Sequence, residues 1–134
     1  MDSDYKSLPS VMESSELKKC FEEFLLIYSD KKRNKKALDQ LYELAYRQWD
    51  TYEALDEDIE EKIGDYIISA VDISSYSIMD TVMSIIENLS LKKPFNFVMD
   101  QRSKVTSPEV LELLDSAYDE YNDIIGDPFG GLDF

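Results

Sequence analysis

Apolar residues recur along most of the chain at spacings of three and four, the pattern of helices that each bury one face. The pattern predicts five helices and no convincing strand, so we expect an all-α domain. Its architecture would be an antiparallel helix bundle or a stack of α-α hairpins. The five apolar stripes are Leu17, Cys20, Phe21, Phe24, Leu25 and Tyr28; Leu38, Leu41, Ala45, Trp49 and Tyr52; Ile59, Ile63, Tyr66, Ile67, Ala70 and Val71; Ile78, Met79, Val82, Met83, Ile85, Ile86 and Leu89; and Val110, Leu113, Leu114, Ala117, Tyr118, Tyr121, Ile124 and Ile125.

Capping residues predict where the first three helices begin. Ser10 and Glu13 have capping-box spacing, which places the start of the first helix there. Asn34 is the expected N-cap of the second helix, whose apolar pattern ends near residue 55. Asp56 or Asp58 would cap the third helix, because a short carboxylate can accept a bond from a free backbone N–H.

The fifth helix has clear signals at both ends. Ser107 at the N-cap is followed by Pro108, and Gly126 is the expected C-cap before Pro128. The predicted organisation is a flexible N-terminal segment over 1–9, a helical domain over 10–126 and a tail over 127–134.

Two features concern how the helices pack. Only Asp80 and Glu87 are charged between positions 77 and 89, so the fourth helix is expected to be central and to contact both flanking helices. Gly64 lies inside the third helix, where it is unfavourable unless a neighbour approaches closely.

The segment over 92–99 is ambiguous. Pro94 prevents the fourth helix from continuing, while Phe95, Phe97 and Met99 alternate as in a strand. A lone strand has no pairing partner, so we expect a buried crossing segment or a short helix.

Composition limits the classes of function. The 134 residues suffice for one domain, and 43% are apolar, which is enough for a core. The net charge of −15 argues against affinity for nucleic acid or an anionic membrane and favours a basic partner. The basic loop over 29–36 lacks interleaved aromatic residues, and we interpret it as a solvated turn rather than a nucleic-acid site.

The supply of reactive side chains is small. The chain has no His and one Cys, Cys20, which we expect to be a buried thiol. No disulfide can form within the chain, and the usual zinc ligands are lacking. No signal peptide or spanning segment is evident, so we expect a cytoplasmic protein without metal or cofactor, and not an enzyme.

Acidic residues concentrate in two regions. The stretch from position 49 to 65 holds eight carboxylates and one Lys, and from position 109 onward eight acids occur with no Lys or Arg. Such faces can serve solubility alone or can attract a basic partner. Trp49 and Tyr52 border the first region and resemble aromatic anchors, although Trp49 is also in phase with a core stripe.

A small, helical, strongly acidic chain without His resembles, over its whole length and in general character, the immunity proteins of bacterial toxin systems. These include colicin-type proteins and the helical immunity proteins of contact-dependent inhibition and other polymorphic toxin systems; the Tyr-Tyr-Pro helix of the nuclease-colicin subfamily is missing here. The resemblance implies binding to a cognate toxin domain, often a basic nuclease, and occlusion of its active site or an adjacent exosite. The residues expected to bind are Trp49, Tyr52, Glu53, Asp56, Glu57, Glu60, Glu61 and Asp65, then Asp115 and Asp119.

The alternative is a helical adaptor or regulatory subunit that binds through an apolar surface. Its exposed candidates would be Phe95, Phe97, Met99, Phe129, Leu132 and Phe134. Salt distinguishes the two functions, since an apolar interface weakens little at high ionic strength.

Overall fold

The structure is a computed structural model that describes residues 5–28, 35–51 and 53–125. Within these ranges the chain is all-α, with no strand, and none of its helices is long and apolar enough to cross a membrane. Two 3-10 turns, Tyr5–Ser7 and Arg102–Lys104, accompany the helices. The helices are α1 (Ser14–Tyr28), α2 (Lys35–Asp50), α3 (Glu57–Ala70), α4 (Tyr76–Leu89), α5 (Lys92–Asp100) and α6 (Pro108–Tyr121).

The all-α prediction is confirmed, and α4 is central as expected. It packs most extensively along α2 and also against α5 and α6. Its neighbours differ from the prediction in one respect, because α3 packs mainly on α1 and α5. One part of the core therefore lies between α4 and the helices that cover it, where the apolar side chains of Val82, Ile85 and Ile86 are completely buried. The rest includes buried side chains of α1 and α3, such as Phe24 and Ile63.

Side-chain caps start three helices as their sequences require. The Asp56 carboxylate accepts a hydrogen bond from the Asp58 N–H (3.2 Å), which decides between the two predicted caps of α3. Ser75 caps α4 through the Ile78 N–H (3.2 Å). Ser107 caps α6 with Pro108 in the first turn, as predicted. The predicted cap of α2, Asn34, lies outside the described residues.

The first helix begins at Ser14 and not at Ser10, since its first hydrogen bonds run from the N–H groups of Glu16 and Leu17 to the Glu13 carbonyl (3.1 and 3.0 Å). Arg47 holds the backbone that precedes position 10. The Arg47 guanidinium is 2% exposed and donates from Nε to the Pro9 carbonyl (2.8 Å) and from Nη2 to the Leu8 carbonyl (2.9 Å). Its Nη1 donates to the carbonyl of Glu43 (2.7 Å) one turn earlier in α2. The same Nη1 lies 3.1 Å from Oε1 of Glu43, so three carbonyl oxygens and one carboxylate compensate the buried charge.

Residues 5–9, the described part of the segment that was predicted to be flexible over 1–9, are anchored to the helices. The ring of Tyr5 is buried. The backbone N–H of Tyr5 donates to Oε1 of Gln40 (2.7 Å), and the side-chain hydroxyl donates to Oε1 of Glu23 (2.8 Å). Together with the bonds from Arg47, these contacts fasten residues 5–9 to α1 and α2.

Two helices end earlier than their apolar patterns suggest. After α2 ends at Asp50, the Gln48 amide donates to the carbonyl of Glu53 (2.6 Å), which turns the chain away from the helix. At the other end of the chain, α6 stops at Tyr121 and a turn follows through Ile125. The expected C-cap at Gly126 lies outside the described residues.

The ambiguous segment over 92–99 forms the sixth helix, α5. Ser90 ends α4 in the left-handed conformation (φ 54°), and the Leu91 N–H bonds to the Ile86 carbonyl (3.1 Å) as in a Schellman motif. A new helix then begins at Lys92, which places Pro94 in its first turn, where its missing N–H removes no helical bond.

The apolar side chains of α5 correct one expectation. Phe95, a candidate for an exposed adaptor surface, is completely buried in the core. Phe97 and Met99 are half-buried, and Met99 packs against the core. The alternation of these residues therefore does not mark an exposed apolar surface.

Gly64 permits the close approach of α3 and α5 that its position suggested. A Cβ atom at Gly64 would lie 3.3 Å from Cγ of Pro94. Since this is at the limit of normal contact, a single methyl group barely fits and a branched side chain does not.

We expect Gly64→Val to lower the free energy of unfolding by about 2 kcal/mol, because its branched side chain would collide with the Pro94 ring. In a Pro94→Ala background the same change should cost less than half as much. Urea denaturation of the four proteins measures this coupling. An equal cost in both backgrounds would show that the contact with Pro94 is not the reason for the glycine.

We expect Arg47→Met to cost about 2–4 kcal/mol of stability and to expose residues 5–9 to proteolysis, since three carbonyl oxygens lose their charged donor. The matched control is Arg102→Met, which removes an exposed Arg that is paired with Asp115 and should cost under about 1 kcal/mol. Similar losses for the two variants would contradict the anchoring role of Arg47.

Candidate functional site

The acidic stretch from position 49 to 65 does not form one continuous site. Its residues lie on the end of α2, on the connection that follows and on the outer side of α3. Tyr52, predicted as an aromatic anchor, lies outside the described residues. The remaining predicted residues line separate depressions of the surface.

The first depression lies beside the connection between α2 and α3. Glu53 and Asp56 line a cavity of about 810 Å³ together with residues at the start of α1. Asp56 bonds to Nζ of Lys18 (3.2 Å) and also caps α3. The hydrogen bond from Lys18, and then the one from the Asp58 N–H, lower the pKa of Asp56, so its carboxylate remains ionised at neutral pH.

The second depression lies between α3 and α5, and its α3 side carries three carboxylates. Glu57, Glu60 and Glu61 line a cavity of about 390 Å³, and we call these three residues the α3 acidic face. Among the described residues, the α3 acidic face makes no ion pair. Burial, and then the charge of Glu57, raise the pKa of Glu60.

Basic side chains of α5 border the α3 acidic face. Lys92 and Lys93 lie on the opposite wall of the same cavity. The Lys93 ammonium bonds to Oδ1 of Asp65 (3.1 Å), another α3 carboxylate that was predicted to bind the partner. The chain thus offsets part of its own acidic charge here, which the sequence pattern of α3 alone does not reveal.

The two predicted residues of α6 differ from each other. Asp115 is engaged with the guanidinium of Arg102, which follows α5. Asp119 is exposed one turn further along α6. Neither residue lines the cavity beside the α3 acidic face.

Trp49 lies in a third place, a groove formed by α2, α4 and α6. The groove encloses about 310 Å³, and we call it the Trp49 groove. The Trp49 side chain is 37% exposed, so the ring is neither fully in the core nor a free anchor. The residues that line the groove are Tyr42, Trp49, Ser84, Glu87, Asn88, Ser90, Tyr121 and Ile124.

Glu87 is the unusual side chain of the Trp49 groove. Burial, and then the nearby charge of Glu120, raise its pKa from 4.5 to about 7, although a hydrogen bond from Tyr121 opposes the rise. Asp80, on the same helix, also raises the pKa. A carboxylate that titrates near neutral pH in a cavity is typical of functional sites, although structural networks produce the same effect.

The sequence contained a signal for this residue. Glu87 is one of the two charged residues in the otherwise apolar α4, and a helix that is covered on most sides has few positions at which a carboxylate stays fully hydrated. The pattern does not distinguish Glu87 from Asp80, which is exposed. The residues of α2 and α6 that surround it depend on helix pairing, which the pattern of α4 does not contain.

Cys20 was predicted to be a buried thiol, but on α1 it is only half-buried. Burial, and then the charges of Glu23 and Glu16, raise the pKa of its thiol, whereas Arg47 lowers it. A raised pKa disfavours the nucleophilic thiolate form.

Comparison with known proteins identifies no relatives: the chain matches no family model, no curated protein and no solved structure. In the part of the chain that the structure describes, no group of three or more Asp, Glu or Cys residues is arranged to hold a metal ion. Two of the depressions on the described surface have unusual carboxylates: the α3 acidic face makes no ion pair among the described residues, and the Trp49 groove contains Glu87, whose pKa is raised.

We expect Glu87→Gln to raise the free energy of unfolding by about 1 kcal/mol at pH 8 and to leave it nearly unchanged at pH 5. The folded-state pKa is raised, so the folded form binds the proton more tightly and its stability falls as the pH rises from about 4.5 through 7. Gln removes this loss. Urea denaturation at both pH values measures the effect.

Glu112→Gln is the matched control, since it removes one carboxylate at an exposed position of α6. An equal gain from both variants at pH 8 would mean that Glu87→Gln acts only by reducing the net negative charge.

Proposed function

We propose that this protein is a non-enzymatic immunity protein that binds a basic toxin domain, such as a nuclease, and neutralises it by occlusion. The observation that carries the proposal is the α3 acidic face, which displays unpaired carboxylates on a chain of net charge −15. In this proposal the protein acts in the cytoplasm of the bacterium that makes the toxin.

The charge of the whole chain supports rapid association. Opposite net charges raise the rate at which two proteins meet, and the effect weakens as salt screens it. Because Glu57 and Glu61 are exposed and make no ion pair among the described residues, they are available to the bases of a partner.

The engaged carboxylates can also contribute. Asp56, Asp65 and Asp115 are paired with Lys18, Lys93 and Arg102, and every one of these side chains is more than 40% exposed. Exposed ion pairs are worth at most about 1 kcal/mol, so a base of the partner can replace the internal one at little cost. The α3 acidic face would then extend toward Asp65 when a partner binds.

The second candidate is a helical adaptor that binds through an apolar surface. The burial of Phe95 removes one of its expected contacts, and Phe97 and Met99 are half-buried. Its remaining candidates, Phe129, Leu132 and Phe134, lie outside the described residues. The exposed acidic surfaces therefore favour the immunity function.

The first test is co-expression with the product of the adjacent gene in a bacterial host. We expect that product to be toxic alone, to be tolerated when this protein is present and to co-purify with it. A non-toxic neighbour that binds equally well in low and high salt would support the adaptor instead.

With that toxin in hand, we expect Glu57→Lys combined with Glu61→Lys to slow association at least tenfold in low salt and to flatten its dependence on salt, because steering depends on these charges. Stopped-flow mixing measures the rate. The control is Glu22→Lys combined with Glu112→Lys, which changes the net charge equally on α1 and α6. If both double variants associate equally slowly, the α3 acidic face is not the binding surface.

A further inference from the structure

The Trp49 groove gathers apolar side chains that the fold leaves partly exposed. Among the described residues, few large apolar side chains are exposed, and three of them line this groove: Tyr42 (37%), Trp49 (37%) and Ile124 (50%). Tyr121 adds a third aromatic ring. Exposed apolar surface that is concentrated in one concave place is typical of a binding site.

The polar side of the groove carries negative charge without a matching base. Glu87 lines it, and the charge of Glu120 acts on Glu87 from α6. None of the described residues that line the groove is Lys or Arg, and among them Glu87 makes no ion pair. A half-buried carboxylate in this position gains from any cation that reaches it.

Aromatic walls beside a carboxylate select the type of cation. The faces of Trp and Tyr rings attract cations, and a planar guanidinium can stack on them while it bonds to a carboxylate. The ammonium group of lysine is a more strongly hydrated point charge, so it loses more hydration free energy when it leaves water. The chemistry of the groove therefore fits arginine better than lysine.

We propose that the Trp49 groove receives an arginine side chain of a partner protein, stacked on Trp49 or Tyr42 and paired with Glu87. The inference rests on the proposed function only for the identity of the protein that supplies the arginine. It assigns to Trp49 a role as one wall of a guanidinium site, separate from the α3 acidic face.

Charge argues against the other possible occupants of the groove. Residues 126–134 follow Ile125 directly, but they contain two Asp and no Lys or Arg, so the Glu87 carboxylate disfavours them. A second copy of the chain also carries a net charge of −15 and is repelled as a whole. An arginine of a basic partner is attracted both by the groove and by the field of the protein.

Trp49 is the single tryptophan of the chain, so its fluorescence reports directly on the groove. The probe is the peptide Gly-Gly-Arg-Gly-Gly, acetylated and amidated, titrated into the full-length protein at low salt. We expect a saturable change of fluorescence with a Kd on the order of 1 mM. The same peptide with citrulline, which is neutral and nearly equal in shape, should bind at least tenfold more weakly, and the Lys peptide should fall between them.

Variants locate the site within the groove. Glu87→Gln should weaken the Arg peptide at least tenfold, whereas Glu112→Gln should leave its affinity unchanged within twofold. In the parent protein the affinity should fall at pH 5, where Glu87 is protonated, and Glu87→Gln should abolish most of this dependence. The other titratable groups that face Glu87 are Asp80, Glu120, Tyr121 and, across the groove, Tyr42.

Three results would overturn the inference. The first is equal binding of the Arg and citrulline peptides, and the second is equal weakening by Glu87→Gln and Glu112→Gln. The third concerns the variant Phe129→Ser: it would bind the peptide more tightly than the parent protein does, and its Trp49 emission would be shifted even without peptide. That result would mean that the tail occupies the groove. The proposed function fails separately, since a toxin can be neutralised through the α3 acidic face without the groove, and the peptide can bind although no toxin is neutralised.

Discussion

α4 must be covered on most of its circumference, because only two of its fourteen residues are charged. α2 supplies the largest part of this cover, and α5 and α6 supply most of the rest. Burying these side chains favours folding and fixes α2, α5 and α6 around α4, whereas α1 packs on α2 and α3, and α3 packs on α1 and α5. The same constraint creates the Trp49 groove, where cover by α2 and α6 is incomplete and Glu87 is left partly desolvated.

Local signals predicted much of this fold. The apolar stripes identified the long helices, and short polar side chains marked the starts of α3 and α6, because these depend on neighbours within a few residues. Contacts between distant segments were not predictable in the same way. The segment before α1 is held by Arg47, which is thirty-eight residues beyond Pro9, and α5 depends on a core that buries Phe95.

The candidate site shows the same division. The outward position of Glu57, Glu60 and Glu61 follows from the period of α3, and they share one depression. Their neighbours Lys92 and Lys93, and the separation of Trp49 from this stretch, come from tertiary packing. The two surfaces suit different ranges of interaction: exposed carboxylates act at a distance through the field, whereas the groove requires contact with aromatic rings.

The anchor at Arg47 has a consequence for sequence variation. The guanidinium holds Leu8 and Pro9 through their carbonyl oxygens, which every amino acid possesses. Substitutions at these two positions therefore leave the anchor in place, while position 47 accepts only a residue with the same fork of donors. Homologues should therefore vary at Pro9, whose side chain is exposed, and retain arginine at position 47, whereas Tyr5 and Leu8 are also held by contacts of their side chains with the core.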